Sequence, residues 1–123
     1  MDSIELRSKT KNFAIEIIHF IKTLSNSYEK HIIAKQLFRS STSLAANYRA
    51  ACRSRSKAEF FSKLSIVVEE TDETMFWLEV LIESRISKNS VTQDLLNRAT
   101  ELIKIFSSAR KTISNQIFSS KNH

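Results

Sequence analysis

Apolar side chains recur along this chain at intervals of three and four residues, a spacing that keeps them on one face of an α-helix and would scatter them over both faces of a strand. Leu64, Val68, Thr71, Met75, Leu78 and Ile82 advance by 4, 3, 4, 3 and 4, and Leu95, Ala99, Leu102, Phe106, Ala109 and Ile113 repeat that rhythm. An earlier series, Ile33, Leu37, Ser41, Leu44, Tyr48 and Ala51, also holds one face. Before it, Phe13, Ile17, Phe20 and Leu24 form a line that Ala14, Ile18 and Ile21 broaden. Between these series the chain turns polar, at Ser25-Asn26-Ser27, at Arg53-Ser54-Arg55-Ser56 and across residues 85–90. The pattern predicts four helices, over about residues 3–24, 29–52, 56–84 and 90–118. Ser56-Lys57-Ala58-Glu59 and Ser90-Val91-Thr92-Gln93 have the form of capping boxes, in which a hydroxyl and a carboxyl or amide each satisfy an orphan backbone donor at a helix start. Short connections between long helices make consecutive helices antiparallel neighbours, so the expected fold is an all-α, up-down-up-down four-helix bundle.

Composition sharpens this. The 123 residues include no glycine and no proline, the two residues that tight hairpin turns depend on. A fold with many reversals is hard to build without them, whereas long helices with few connections need neither. At 14.2 kDa the chain is expected to form one domain over residues 1–123.

One helix has more apolar surface than a single bundle uses. Ile66, Trp77 and Val80 fall on the side of the third helix opposite its main stripe, interleaved with Glu69, Glu70 and Glu73. Surplus apolar surface of this kind calls for a second subunit. Ile66, Glu70, Glu73, Trp77 and Val80 are therefore the expected interface of a homo-oligomer, the alternative being that Trp77 caps an irregular core.

Charge is segregated along the chain. Residues 29–58 carry seven Lys and Arg against one Glu, and residues 59–84 carry seven acids against one Lys, within a net charge of +6. Lys35, Arg39, Arg49 and Arg53 share the polar side of the second helix, and Arg55 and Lys57 continue the charge through the connection that follows. Such a stripe can follow a phosphate backbone. It has no interleaved aromatic residues, so reading of base identity is not expected. The alternative is a structural interaction module whose basic and acidic faces pair between subunits. No apolar run reaches the length of a membrane span, and the first residues lack the basic and apolar regions of a signal peptide, so a cytoplasmic location is expected.

Candidate chemistry is sparse. Glu16-Ile17-Ile18-His19 has the Glu-x-x-His spacing of di-iron bundles, but it has no second copy and falls on the polar side of its helix. Glu69, Glu70, Asp72 and Glu73 read as one solvated or arginine-paired face rather than a metal cluster. Cys52 is the single cysteine and reads as a small buried apolar residue. His31 and His123 are isolated, and the serines have no recognisable His and Asp partners. The sequence thus points to a non-enzyme with no cofactor and no metal.

Gln36-Leu37-Phe38-Arg39-Ser40, Ala46-Asn47-Tyr48-Arg49 and Glu73-Thr74-Met75-Phe76-Trp77-Leu78 carry a family resemblance. The chain resembles the bacterial four-helix-bundle proteins encoded by intervening sequences inside 23S ribosomal RNA genes. The resemblance implies an antiparallel bundle assembled as a homopentamer, with no enzymatic activity and a role in binding RNA or DNA. A distant relative is the accessory protein of diversity-generating retroelements, which binds a reverse transcriptase and RNA, and this makes such an enzyme a candidate partner. The chain departs from the family in having Ser41 and Ala45 where Gly is common, and Ala50 where Glu is common.

Loss of the Ser56 hydroxyl removes a helix cap. Ser56→Ala is expected to lower stability by about 1 kcal/mol, measured by urea unfolding.

Overall fold

The structure, a computed structural model, describes the backbone of residues 1–121 and the side chains of residues 1–119, so His123 lies outside the described residues. It contains four α-helices, α1 (Ser3–Lys22), α2 (Tyr28–Ala51), α3 (Lys57–Glu83) and α4 (Ser90–Lys121), and no strand among the described residues. None of these helices is long and apolar enough to cross a membrane.

Without glycine or proline to punctuate the connections, polar side chains start the helices. Asp2 accepts a hydrogen bond from the backbone N–H of Glu5 at 2.8 Å, Ser27 from that of Lys30 at 3.0 Å, and Ser56 from that of Glu59 at 3.0 Å. The return half of the Ser56 box is displaced by one residue, the Glu59 carboxylate accepting from the N–H of Arg55 at 3.3 Å. The second expected box does not form. Asn89, not Ser90, caps α4 by accepting from the N–H of Val91 at 2.9 Å, while Gln93 turns along the helix to Asn97. The buried hydroxyls of Ser87 and Thr92 hydrogen-bond across this start. An amide at residue 89 reaches the first free N–H groups directly, leaving Ser90 inside the helix.

The end of α3 shows what a glycine-free chain does at a helix terminus. Arg85 adopts φ 63°, the left-handed conformation usually given to glycine after a helix. Its N–H donates to the carbonyl of Ile82 at 3.1 Å, and the N–H of Ser87 donates to that of Leu81 at 3.0 Å. These bonds satisfy carbonyls that the helix end would otherwise leave open.

Each helix packs on the next in chain order, and α1 meets α4 along a shorter seam. The core is continuous through all four, with Phe13 and Ile17 of α1, Leu37 and Leu44 of α2, Leu64, Val67, Leu78 and Leu81 of α3, and Ala99 and Phe106 of α4 fully buried. Tyr48 of α2 meets Phe106 of α4 across it, with ring centroids 5.4 Å apart. The expected stripes of α2 and α4 lie inward, the last members of the α4 stripe, Ala109 and Ile113, half-buried. That of α3 is rotated. Val67, Thr74 and Leu81 are fully buried, whereas Val68, Met75 and Ile82 are half-buried. The reason is position: α3 packs on both α2 and α4, and its most buried line points between them.

At the seam of α2 and α3 the core is polar. Ser40, Ser41, Thr71 and Thr74 have no exposed surface. The Thr71 hydroxyl donates to the Val67 carbonyl at 2.7 Å, and that of Ser41 to the Phe38 carbonyl at 3.3 Å. The Thr74 hydroxyl lies 2.9 Å from Ser40 Oγ and 2.8 Å from the Glu70 carbonyl oxygen. Buried hydroxyls satisfied in this way carry little penalty. Their short side chains bring the two backbones together without glycine.

An L-residue in the left-handed region costs about 1 kcal/mol. Arg85→Gly is accordingly expected to raise the urea midpoint, with the slope of the transition unchanged, by an amount equivalent to about 1 kcal/mol at fixed protein concentration.

Candidate nucleic-acid interface

The basic side of α2 does not stay together as one stripe. Arg39 turns toward α3, where one guanidinium nitrogen donates to Glu70 at 3.0 Å and the other pairs with Glu73. Partial burial works against its charge, but the pull of Glu70, joined by Glu73, outweighs it and holds the Arg39 pKa above its ordinary value. Its charge is thus committed within the chain. Lys35 stands exposed more than three helical turns before Arg49.

Arg49 and Arg53, both exposed, flank two concavities. The first is a groove of about 560 Å³ between α1 and α2, which they line together with Arg7 and Lys11 of α1 and with Ala45 and Ala46. The second, of about 440 Å³, lies toward α3 and brings in Arg55 and Lys63 over Ala46 and Ala50, with Glu59 its one acid. Ala50 adds no charge here. Arg55 and Lys57 also border a third hollow, of about 540 Å³, against Tyr48 and Cys52. Among the described residues, Arg7, Lys11, Arg49, Arg53, Arg55 and Lys57 make no ion pair. The first two grooves have no aromatic residue in their linings.

Arg7, Lys11 and Lys63 extend this site beyond the sequence-based expectation. Arg7 and Lys11 are spaced i, i+4, which places them together on α1, but only the packing of α1 beside α2 shows which basic residues they face.

On α3, Ile66 is 37% exposed, while Trp77 and Val80 are half-buried and pack against the edge of the core. Glu70 and Glu73 bind Arg39 of their own chain. Phe76, which the spacing argument did not single out, is 51% exposed. It meets Trp77 edge to face with ring centroids 4.9 Å apart. The indole N–H of Trp77 is buried and has no hydrogen-bond partner among the described residues.

The remaining polar clusters are structural. Glu16 pairs with Arg98 of α4, whose guanidinium also lies 5.2 Å from the Phe13 ring centroid, and His19 is exposed. Arg110 of α4 stacks on Phe61 at 5.2 Å and donates to Ser65 at 2.9 Å, fastening α4 to α3. Cys52 is a free, half-buried thiol packed on the core. Burial, with Cys52 alongside, pushes the Tyr48 hydroxyl above the usual phenol range, so it stays neutral. No three His, Cys, Asp or Glu residues come together in a metal-binding arrangement among the described residues.

Residues 2–108 match the model of the 23S rRNA-intervening sequence protein family. Among solved structures, the chain is similar to a protein of unknown function from the S23 ribosomal protein family of Bacteroides thetaiotaomicron VPI-5482. The TM-score is 0.82 and the identity 34%, over 90% of this chain and 99% of that one. No curated protein matches the chain.

Because Arg39 is already paired, Arg39→Ala is expected to leave any salt-dependent RNA affinity unchanged. Its effect should appear in stability instead, as a loss of at most about 1 kcal/mol that shrinks with added salt, followed by urea unfolding at low and high ionic strength.

Proposed function

From the premise that the chain belongs to the 23S rRNA-intervening sequence protein family, we propose that it is a non-enzymatic RNA-binding module, built as an antiparallel up-down-up-down bundle and assembled as a homo-oligomer, a pentamer by family resemblance. The observation that carries the binding role is the group of cations around Arg49 and Arg53, which have no ion-pair partners among the described residues and flank grooves lined in part by alanines. Like charges gathered without counter-charges repel one another, and a bound polyanion relieves that repulsion. The absence of aromatic residues from the groove linings favours contact with phosphates over contact with bases. Assembly rests on α3, where Phe76 is exposed against Trp77 and Ile66 is exposed about three turns earlier on the same helix. Apolar side chains grouped in this way gain by contact with another copy.

A second reading is favoured by the exposed acids on α3. Glu69, Asp72 and Glu79 are open to solvent, and in a purely structural module they would pair with Arg49 and Arg53 of a neighbouring copy. One pair of measurements separates the readings. In the RNA-binding reading, fluorescence anisotropy of a single-stranded RNA probe gives an affinity that falls steeply with salt, and Arg49→Glu with Arg53→Glu flattens that dependence while sedimentation shows the assembly intact. In the structural reading the same pair of substitutions dissociates the assembly, and the unaltered protein shows no salt-dependent RNA binding. For the α3 interface, Trp77→Ala is expected to lower the assembly state in sedimentation more than it lowers helix content by circular dichroism. A native protein that sediments as a monomer at tens of micromolar, an ordinary range for bundle interfaces, overturns the oligomeric reading.

A further inference from the structure

We infer that α1 supplies half of the phosphate site: the α1–α2 groove is a two-walled cationic channel for the backbone of single-stranded RNA, with Arg7 and Lys11 holding phosphate oxygens opposite Arg49 and Arg53. The inference rests on the RNA-binding reading above and adds to it both the residues and the form of nucleic acid.

The groove brings four cations, Arg7 and Lys11 of α1, Arg49 of α2 and Arg53 just past its end, around about 560 Å³, and its lining contains no acid. Three arginines outside the groove end on acids or rings, Arg39 on Glu70 and Glu73, Arg98 on Glu16 and Phe13, and Arg110 on Phe61. Those in the groove do not pair with acids among the described residues.

The four cations also differ in depth. Lys11, Arg49 and Arg53 are exposed, whereas Arg7 is half-buried, and its Nε–H is buried without a hydrogen-bond partner among the described residues. A buried guanidinium donor left open is costly, and an anionic oxygen entering the groove brings charge-assisted acceptors to that guanidinium. Ala45, Ala46 and Ser8 contribute only short side chains to the lining, which leaves room for a strand between the cations.

This depth selects the form of nucleic acid. A duplex presents its phosphates on the outside of a wide convex cylinder, which can graze Lys11, Arg49 and Arg53 at the rim but cannot bring a phosphate down to Arg7. A single strand is thin enough to enter and be followed from both sides. The groove lining has no aromatic platform, so the channel reads backbone and not base sequence.

The test uses the full chain and a fluorescein-labelled oligouridylate, with anisotropy titrations repeated over a series of KCl concentrations. A blunt RNA duplex of the same length runs alongside. Each lost phosphate contact is expected to lower the slope of log affinity against log salt by about 0.7. Lys11→Gln alone therefore removes about 0.7, and Arg7→Gln with Lys11→Gln removes about 1.4, for the single strand. Arg7→Lys, which keeps the charge, restores part of the loss, and the duplex binds more weakly with no contribution from Arg7. Should Arg7→Gln fail to fold by circular dichroism, the comparison of Lys11→Gln with the unaltered protein still decides, since Lys11 is exposed and its removal leaves the core untouched.

If Arg49→Gln with Arg53→Gln weakens binding while the α1 substitutions change neither affinity nor slope, the α1 half of the channel is overturned and the RNA-binding reading stands. Equal affinity for the duplex, with the same loss on Arg7→Gln, overturns the selection for a single strand. If the unaltered protein shows no salt-dependent binding to either probe, the underlying reading fails and this inference fails with it.

Discussion

The close seam between α2 and α3 sets the arrangement of everything else. Ser40 and Ser41 on one helix and Thr71 and Thr74 on the other occupy positions that large apolar residues would ordinarily fill, and all four are fully buried. The Ser41 and Thr71 hydroxyls are satisfied by carbonyls of their own helices, and Ser40 and Thr74 meet across the seam. The seam therefore stays narrow without demanding glycine. This closeness places Arg39 within reach of both Glu70 and Glu73. It also fixes the rotation of α2, so that ten and fourteen residues later Arg49 and Arg53 flank the groove toward α1.

Two populations of positive charge result. One is consumed by the architecture: Arg39, Arg98 and Arg110 each join one helix to another through carboxylates, rings or a hydroxyl. The other gathers where α1, α2 and the start of α3 meet, and includes Arg7, Lys11, Arg49, Arg53 and Arg55. The net charge of +6 says little about function until these populations are separated. Surface ion pairs contribute modestly to stability, so the first group matters chiefly for alignment. The second group is what remains to act on a partner.

The helices were legible because their signals are local. Spacing of apolar residues marked α1, α2 and α4 closely, and the polar breaks located every connection. The α3 stripe was misplaced by part of a turn because Val67, Thr74 and Leu81 differ from Val68, Met75 and Ile82 only in facing two neighbours rather than one, a fact of packing with no trace in the spacing. The start of α4 was misread for a related reason: Ser90 and Asn89 are both good caps, and tertiary burial of Ser87 and Thr92 accompanies the choice of Asn89. For the candidate site, the sequence contained the basic residues of α2 but not their division. Whether Arg39 meets an acid, and whether Arg7 meets Arg49, depends on pairs far apart in the chain.

The protein has one tryptophan, and its position gives the molecule an optical property. Trp77 is half-buried at the edge of the core, outside the lining of the α1–α2 groove, with Phe76 edge-on against its indole. Ultraviolet emission excited at long wavelength therefore comes from one locus, the half-buried edge of the core at Trp77. An event that covers or uncovers that edge changes the polarity around the indole and shifts the emission colour. A ligand that touches only the lining of the α1–α2 groove, where Trp77 takes no part, leaves the colour as it was, so a single intrinsic signal separates events at the tryptophan from events in the groove.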